Sequence, residues 1–445
     1  DEAYHYKKNN QADYISLNEG TWDATSATID AIWANCYSMI NRCNSVLDKI
    51  GNVSEKNRKQ YEGEACMLRA YAYFTLVRLF GPVPLTEHVV DDYSDLYNYG
   101  RSPEKDVYAL IGSDLGKAAA CLPPHYSEAG NAGRATSTAA KVMMADTHMT
   151  LGDFGAARKV LEEVIGYAKA NPASLGLLDD YASVFDSQNP VNKEIIFVAQ
   201  FNNGATVVAN YLMKRCIPAV SPNDQPAYTM PDGTASTILT TQGVGCLLMT
   251  WDLYNRLRSN PADKRYSQMV YDRLYDASQG TSRQTEEVDV NDNGDAFTPA
   301  TLKYFDMHNQ GLKTCASGCD DIIYRYADVL LMYAECLNET NATAEAKEYL
   351  DAVRHRAGLA GTQVTSQSEM RLAIEDERLL ELCFEGHRWY DLNRTGRINK
   401  VMTAHFNHRV KGLSAPLQAN NNGMAVADCN DASGRPLEWR WNDSD

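Results

Sequence analysis

Residues 26–50, SATIDAIWANCYSMINRCNSVLDKI, place apolar side chains at Ile29, Ile32, Trp33, Cys36, Tyr37, Ile40, Val46 and Leu47. That 3.6-residue stripe predicts an amphipathic helix, closed by Gly51. A second helix is predicted over 55–80, where Gly81 and the two prolines of GPVPL stop it. Two more follow at roughly 103–121 and 135–151, and a turn at Gly152–Asp153 starts a fifth.

The last of these joins has a repeat character. AAKVMMADTHMTLGDFGAARKVLEEVIGYA reads as a helix–turn–helix of about 34 residues, with alanines where the two helices approach, in the shape of a tetratricopeptide repeat. A second copy is predicted over 322–357, with Ala327, Ala334 and Ala346 at the small positions and Gly358 at its end. Such pairs cannot bury their apolar faces alone. Residues 22–170 and 318–397 are therefore expected to form one mainly α, tetratricopeptide-like scaffold. Between them, 171–317 is rich in Pro, Gly, Asn, Thr and Tyr, with short strand-like runs such as EIIFVAQF, and reads as an irregular ligand-binding insert. The division is thus 1–170, 171–317, 318–397 and an irregular 398–445, intertwined as one domain.

Composition narrows the function. The chain has 445 residues, 44% hydrophobic and 22% charged, the profile of a folded protein. Its 58 acidic against 42 basic residues, net −16, argue against a nucleic-acid partner. Tyrosine is in surplus, 26 against 10 Phe, which suits surfaces that meet polar ligands as well as ordinary helix packing. Most of the 11 cysteines sit in apolar helical patterns; Cys315 and Cys319, in CASGC, are the pair spaced for a local bridge. No apolar run approaches the ~20 residues of a membrane span. The opening DEAYHYKK lacks an initiator Met and reads as a chain whose targeting segment has been removed.

One stretch concentrates charge. DERLLELCFEGHRWYDLNRTGR, 376–397, reads as one helix with Glu377, Glu381, Glu385 and Arg388 on one stripe and an apolar surface around the rest. Enclosed carboxylates need cations. Arg69 and Arg78 interrupt an otherwise apolar helix, so the expectation is that one of them pairs with Glu381 or Glu385 and clamps the first helical block to the last. An acid/base pair at Glu381 and Glu385, or a metal held by Glu377, Glu381 and His387, is the competing reading; the di-iron Glu-x-x-His pattern is absent.

Together, TWDATSATIDAIWANCYSMINRCNSVL, GEACMLRAYAYFTLVRLFGPVPL, AAKVMMADTHMTLGDFGAARKVLEEVI, YRYADVLLMYAECLNE, LDAVRHRAGL and DERLLELCFEGHRWYDLNRTG resemble, in order, the SusD/RagB family of Bacteroidetes nutrient-binding lipoproteins. The resemblance spans residues 21–396. It implies four tetratricopeptide-like helix pairs under an irregular binding region. It also implies no catalysis, a lipid anchor outside the outer membrane, and a SusC-like TonB-dependent barrel that receives captured oligosaccharide. The anchor cysteine would precede this chain, and GRPLEWRWNDSD departs from the family's usual ending.

Sugar rings dock on aromatic faces flanked by polar groups. Starch-binding relatives carry a stacking Trp and an Asn near the amino terminus; by resemblance His5 or Tyr6 stands near the Trp position, Asn10 at the Asn, and Tyr4 beside them. A second aromatic position, before the helix in CLLMTWDLYNRL, is Val244 here, with Tyr211 and Tyr228 the nearest substitutes, so starch itself is disfavoured. In DVNDNGD, Asp289, Asn291, Asn293 and Asp295 copy the start of a calcium loop, but Ala300 stands where its bidentate Glu belongs; a solvated turn and a partial Ca²⁺ site are the two readings. Two other function classes compete with glycan capture. A tetratricopeptide protein-binding scaffold would want a basic groove, and a glycoside hydrolase would need two carboxylates about 5–10 Å apart in one cleft.

Overall fold

The computed structural model describes residues 3–4, 12–19, 22–90, 99–126, 129–131, 133–201, 209–216, 226–229, 235–236, 244, 246–276, 281–284, 299–306 and 317–404. Strand β1 (Ala3–Tyr4) and helix α1 (Ala12–Glu19) precede the first block: α2 (Ala27–Asp48), α3 (Glu55–Phe80), α4 (Glu104–Cys121), α5 (Ser137–Thr150) and α6 (Phe154–Ala170). Each start has a local cause. Ser26, Thr136 and Asp153 accept from the backbone amides of Ile29, Ala139 and Ala156, satisfying donors that the first turn leaves free.

The middle of the chain supplies β2 (Ile195–Ala199), α7 (Leu212–Cys216), β3 (Pro226–Thr229), β4 (Ala235–Ser236), β5 (Leu248–Met249), α8 (Trp251–Arg258), α9 (Lys264–Met269), β6 (Val270–Tyr271), β7 (Arg273–Asp276), β8 (Thr281–Gln284) and β9 (Ala300–Thr301). Four of these strands make a small sheet in the order β4-β3-β7-β8; β6 pairs with β9. The last block is β10 (Asp321–Arg325), α10 (Tyr326–Glu339), α11 (Thr343–Arg356), α12 (Gln367–Leu382) and α13 (Arg388–Arg394).

Consecutive helices from α2 to α6 pack on one another, and α6 packs on α10, which holds α11 and α12. One apolar core therefore runs from Ile40 through Met143 and Leu161 to Leu331, Leu350 and Leu382. Ala327, Ala334 and Ala346 are wholly buried in it, as their small size at helix crossings requires. A second core, around Tyr254, Met213 and Tyr304, belongs to the middle region and takes in Leu379, Cys383 and Phe384 from the last block. Antiparallel β2–β10 pairing, with an irregular register near Tyr324, joins the two. Gly358 adds a close approach: at φ 86° it passes beneath Ala262, whose carbonyl oxygen would lie 2.5 Å from any Cβ there.

Three expectations are corrected. Residues 376–397 are not one helix: α12 ends at Leu382, a turn with Phe384 at φ 66° and Gly386 at φ 81° follows, and α13 begins at Arg388. The second repeat begins later than its periodicity suggested, because residues 321–325 pair as a strand before α10. Cys319 is a buried free thiol rather than half of a bridge; Cys315 lies outside the described residues.

Candidate functional site

The turn after α12 carries Glu385 inward. Five carboxylates, from Glu194, Asp263, Glu377, Glu381 and Glu385, meet five cations, from Arg265, Lys303, Arg325, Arg354 and Arg356. Arg325 lies at the centre. Its Nη1 donates to Glu381 at 2.6 Å and Glu194 at 3.0 Å, and its Nε and Nη2 donate to Glu385 at 2.7 and 2.9 Å. Arg356 also binds Glu381, and Lys303 Nζ donates to Glu385 at 2.6 Å. Arg265 is chelated by Asp263 and reaches Glu377 at 2.7 Å. Tyr181 lies beneath three of these cations and donates its hydroxyl to the Glu381 carbonyl.

Glu381 and Arg325 are fully buried, so charge balance and the dense hydrogen bonding of their own oxygens and nitrogens are what make the cluster tolerable. Burial alone would raise the Glu381 pKa; the charges of Arg356, Arg325 and Arg265 overcome it and bring it to about 2. Glu385 is likewise brought to about 2, with Arg325 and Lys303 outweighing burial. Such carboxylates hold no proton near neutral pH and meet no solvent. A glycosidase acid needs the opposite, a raised pKa and an open face. The cluster draws its members from the middle region, β10, α11 and α12, and so fastens the insert to the helical frame.

The expected pairing of Arg69 or Arg78 with these glutamates does not occur. Arg69 forms a bidentate pair with Asp114 of α4, at 2.7 and 2.9 Å, and donates to Asn44 of α2. Arg78 pairs with Asp146 of α5 at 3.5 Å. An arginine on α3 finds its acceptor on the helices packed beside it; the cations for α12 come from the segments folded over its other face. Arg78 does link the first block to the last, by stacking between Phe74 and Tyr390 at 3.7 Å from each ring centre.

A second, open locus forms where the amino terminus meets the insert. Tyr4 of β1 pairs with Leu248 of β5, and Ala3 with Met249, so the two segments that resemblance singled out are neighbours. The chain leading into β5 caps α7: Val244 N donates to Lys214 O at 3.0 Å and Leu247 N to Arg215 O at 2.9 Å. Tyr211, just before α7, is 55% exposed. Exposed Arg215 lies 5.4 Å from the ring of half-buried Tyr14. Tyr14 and Arg215 were not among the sequence candidates; Tyr14 stands in the same NNQADY stretch as Asn10, but nothing local marks Arg215. Tyr228 sits in β3 opposite Ser236 and Leu274. His5, Tyr6 and Asn10, and the calcium-loop residues Asp289, Asn291, Asn293 and Asp295, lie outside the described residues. Among the described residues no cluster of three or more His, Cys, Asp or Glu is arranged to hold a metal.

Residues 193–422 match the family described as SusD family, and residues 2–147 match one described as starch-binding associating with outer membrane. SusD-like protein P2 of Formosa agariphila is 27% identical over 400 residues, covering 86% of this chain and 75% of the relative. The crystal structure of a SusD superfamily protein from Parabacteroides distasonis has a TM-score of 0.71 at 26% identity, over 88% of this chain and 80% of that one. A laminarin-binding SusD-like protein gives a TM-score of 0.73 at 24% identity, over 93% and 86% of the two chains, a likeness of fold.

Proposed function

This chain belongs to the SusD family, and on that premise we propose that it is a non-catalytic receptor which captures an oligosaccharide and delivers it to a SusC-like TonB-dependent transporter. The proposal places it at the outer membrane, held on the outer face by a lipid anchor that precedes this chain. Support for a glycan ligand comes from the family description at residues 2–147 and from the laminarin-binding neighbour of the same fold.

The observation that carries the reading is the junction of β1 with β5 beside exposed Tyr211 and Arg215. The exposed Tyr211 ring offers a sugar an apolar platform, and the Arg215 guanidinium, set against the Tyr14 ring, supplies donors for hydroxyls. Tyr4, His5, Tyr6, Asn10 and Tyr228 are proposed to extend this platform. The sealed glutamate cluster keeps the platform's base fixed and takes no part in bond cleavage.

Binding of the intact protein to an oligosaccharide array, laminarin and starch fragments included, tests the proposal. Retention of a defined glycan without release of reducing sugar is expected, with co-purification of a large outer-membrane barrel. Release of reducing sugar from the retained glycan, or failure of every glycan to bind, would reject it. Joint replacement of Tyr4, Tyr6 and Tyr228 by alanine is expected to weaken the retained glycan; unchanged affinity would remove those three from the platform.

A further inference from the structure

A second buried polar cluster lies where α3, α5, α10, α12 and α13 converge, away from both loci above. It encloses room of about 10 Å³ for the centre of a water-sized particle. Asp328, 1% exposed, turns one oxygen to Arg378 Nη1 at 2.7 Å. Its other oxygen, Oδ2, is buried and accepts no hydrogen bond from the described residues. His387 Nδ1 lies 4.0 Å from it, too far for a direct bond. A buried carboxylate oxygen that has lost its hydration without a replacement donor is unfavourable, so a partner is expected.

The chemistry of that partner follows from the wall. Three guanidinium groups, of Arg78, Arg378 and Arg394, face three carboxylates, of Asp146, Asp328 and Asp391. Apart from His387, which also lines the cavity, these charges balance, so an added cation would sit against three positive charges and an anion against three negative ones. The occupant must donate to Asp328 Oδ2 and meet His387 as donor or acceptor. Two hydrogen bonds of about 2.8 Å span the 4.0 Å gap with an angle of roughly 90° at the bridging atom. About 10 Å³ is close to the least room one water requires.

We propose that this cavity is a binding site for one buried water molecule, bridging Asp328 Oδ2 and His387 Nδ1. The bridge joins α10 to the end of the turn that carries Glu385, and so connects the two buried charge clusters through one solvent molecule. A crystal structure of the intact protein at about 1.5 Å or better tests it. A single peak within hydrogen-bond distance of both atoms is expected, with no anomalous signal from crystals grown in rubidium salts. An empty cavity, a rubidium peak, or closure of His387 directly onto Asp328 would overturn the proposal. Deuteron magnetic relaxation in solution gives a second reading. His387→Leu removes one of the two partners, and the count of long-lived buried waters is expected to fall by one. An unchanged count in a folded His387→Leu protein would also overturn the proposal. The wild-type crystal decides the matter even if that variant fails to fold.

Discussion

The two places where this chain gathers charge and tyrosine are built in opposite ways. Around Glu381, five carboxylates and four of the five cations are shut away from water, and only Arg354, 26% exposed, reaches the edge. Around Tyr211, one ring and one guanidinium face solvent beside a two-residue strand pair. In sequence the first was expected to be a clamp, with an acid/base or metal role as the competing reading. Its density of charge is a consequence of burial, since each ion taken out of water demands another. The contrast assigns stability to the sealed cluster and recognition to the sparse, open one.

The comparison breaks most readily at its stable end. Glu381→Ala leaves Arg325 and Arg356 short of their shared anion, and removal of one partner from a buried network costs about 3–5 kcal/mol. Urea unfolding is expected to show a loss of that size. A loss under 1 kcal/mol would mean that the cluster does not hold the insert in place. Arg69→Met, which strands fully buried Asp114 in the first block, is expected to cost about 3 kcal/mol in the same assay without touching the platform.

Acid supplies a graded version. The folded pKa values of Glu381 and Glu385, about 2, lie below their ordinary value of 4.5. Their contribution is therefore complete above pH 4.5 and is lost as pH falls toward 2, by a few kcal/mol in all. Melting temperature against pH should be flat with respect to these groups down to about 4.5 and fall steeply below it. A fall confined to higher pH would separate acid unfolding from this cluster.

At the open end the effects are smaller and move to binding. Tyr211→Ala is expected to weaken oligosaccharide affinity by about tenfold while stability changes by no more than about 0.5 kcal/mol. Arg215→Ala, which removes a single exposed cation, is expected to weaken it about threefold. Calorimetric titration beside thermal melting checks both variants.

Much of the frame was legible because helices are local. The stripe from Ile29 to Leu47, the Gly81-Pro82 stop and the Gly152–Asp153 turn each carry their cause within a few residues. The break at 383–387 was partly written, in Gly386; the positive φ of Phe384 was not, because it follows from Glu385 reaching Arg325 sixty positions away. Need for partners could likewise be read from Arg69 and Glu381, but not their choice. Asp114, Arg325 and Arg356 are selected by which elements pack together, and nothing near Glu381 in the chain names them. The open locus was harder still, since Tyr14 and Arg215 are two hundred residues apart and meet only through the fold.

The most direct test sets one variant from each region against the same glycan, by calorimetric titration of the array-selected oligosaccharide into folded Tyr211→Ala and folded Glu385→Gln. The prediction is that Tyr211→Ala binds about tenfold more weakly at an unchanged melting temperature, whereas Glu385→Gln melts lower and binds as the parent does. Abolished binding in folded Glu385→Gln, with Tyr211→Ala unaffected, would contradict the division of the molecule into a sealed brace and an open receptor face.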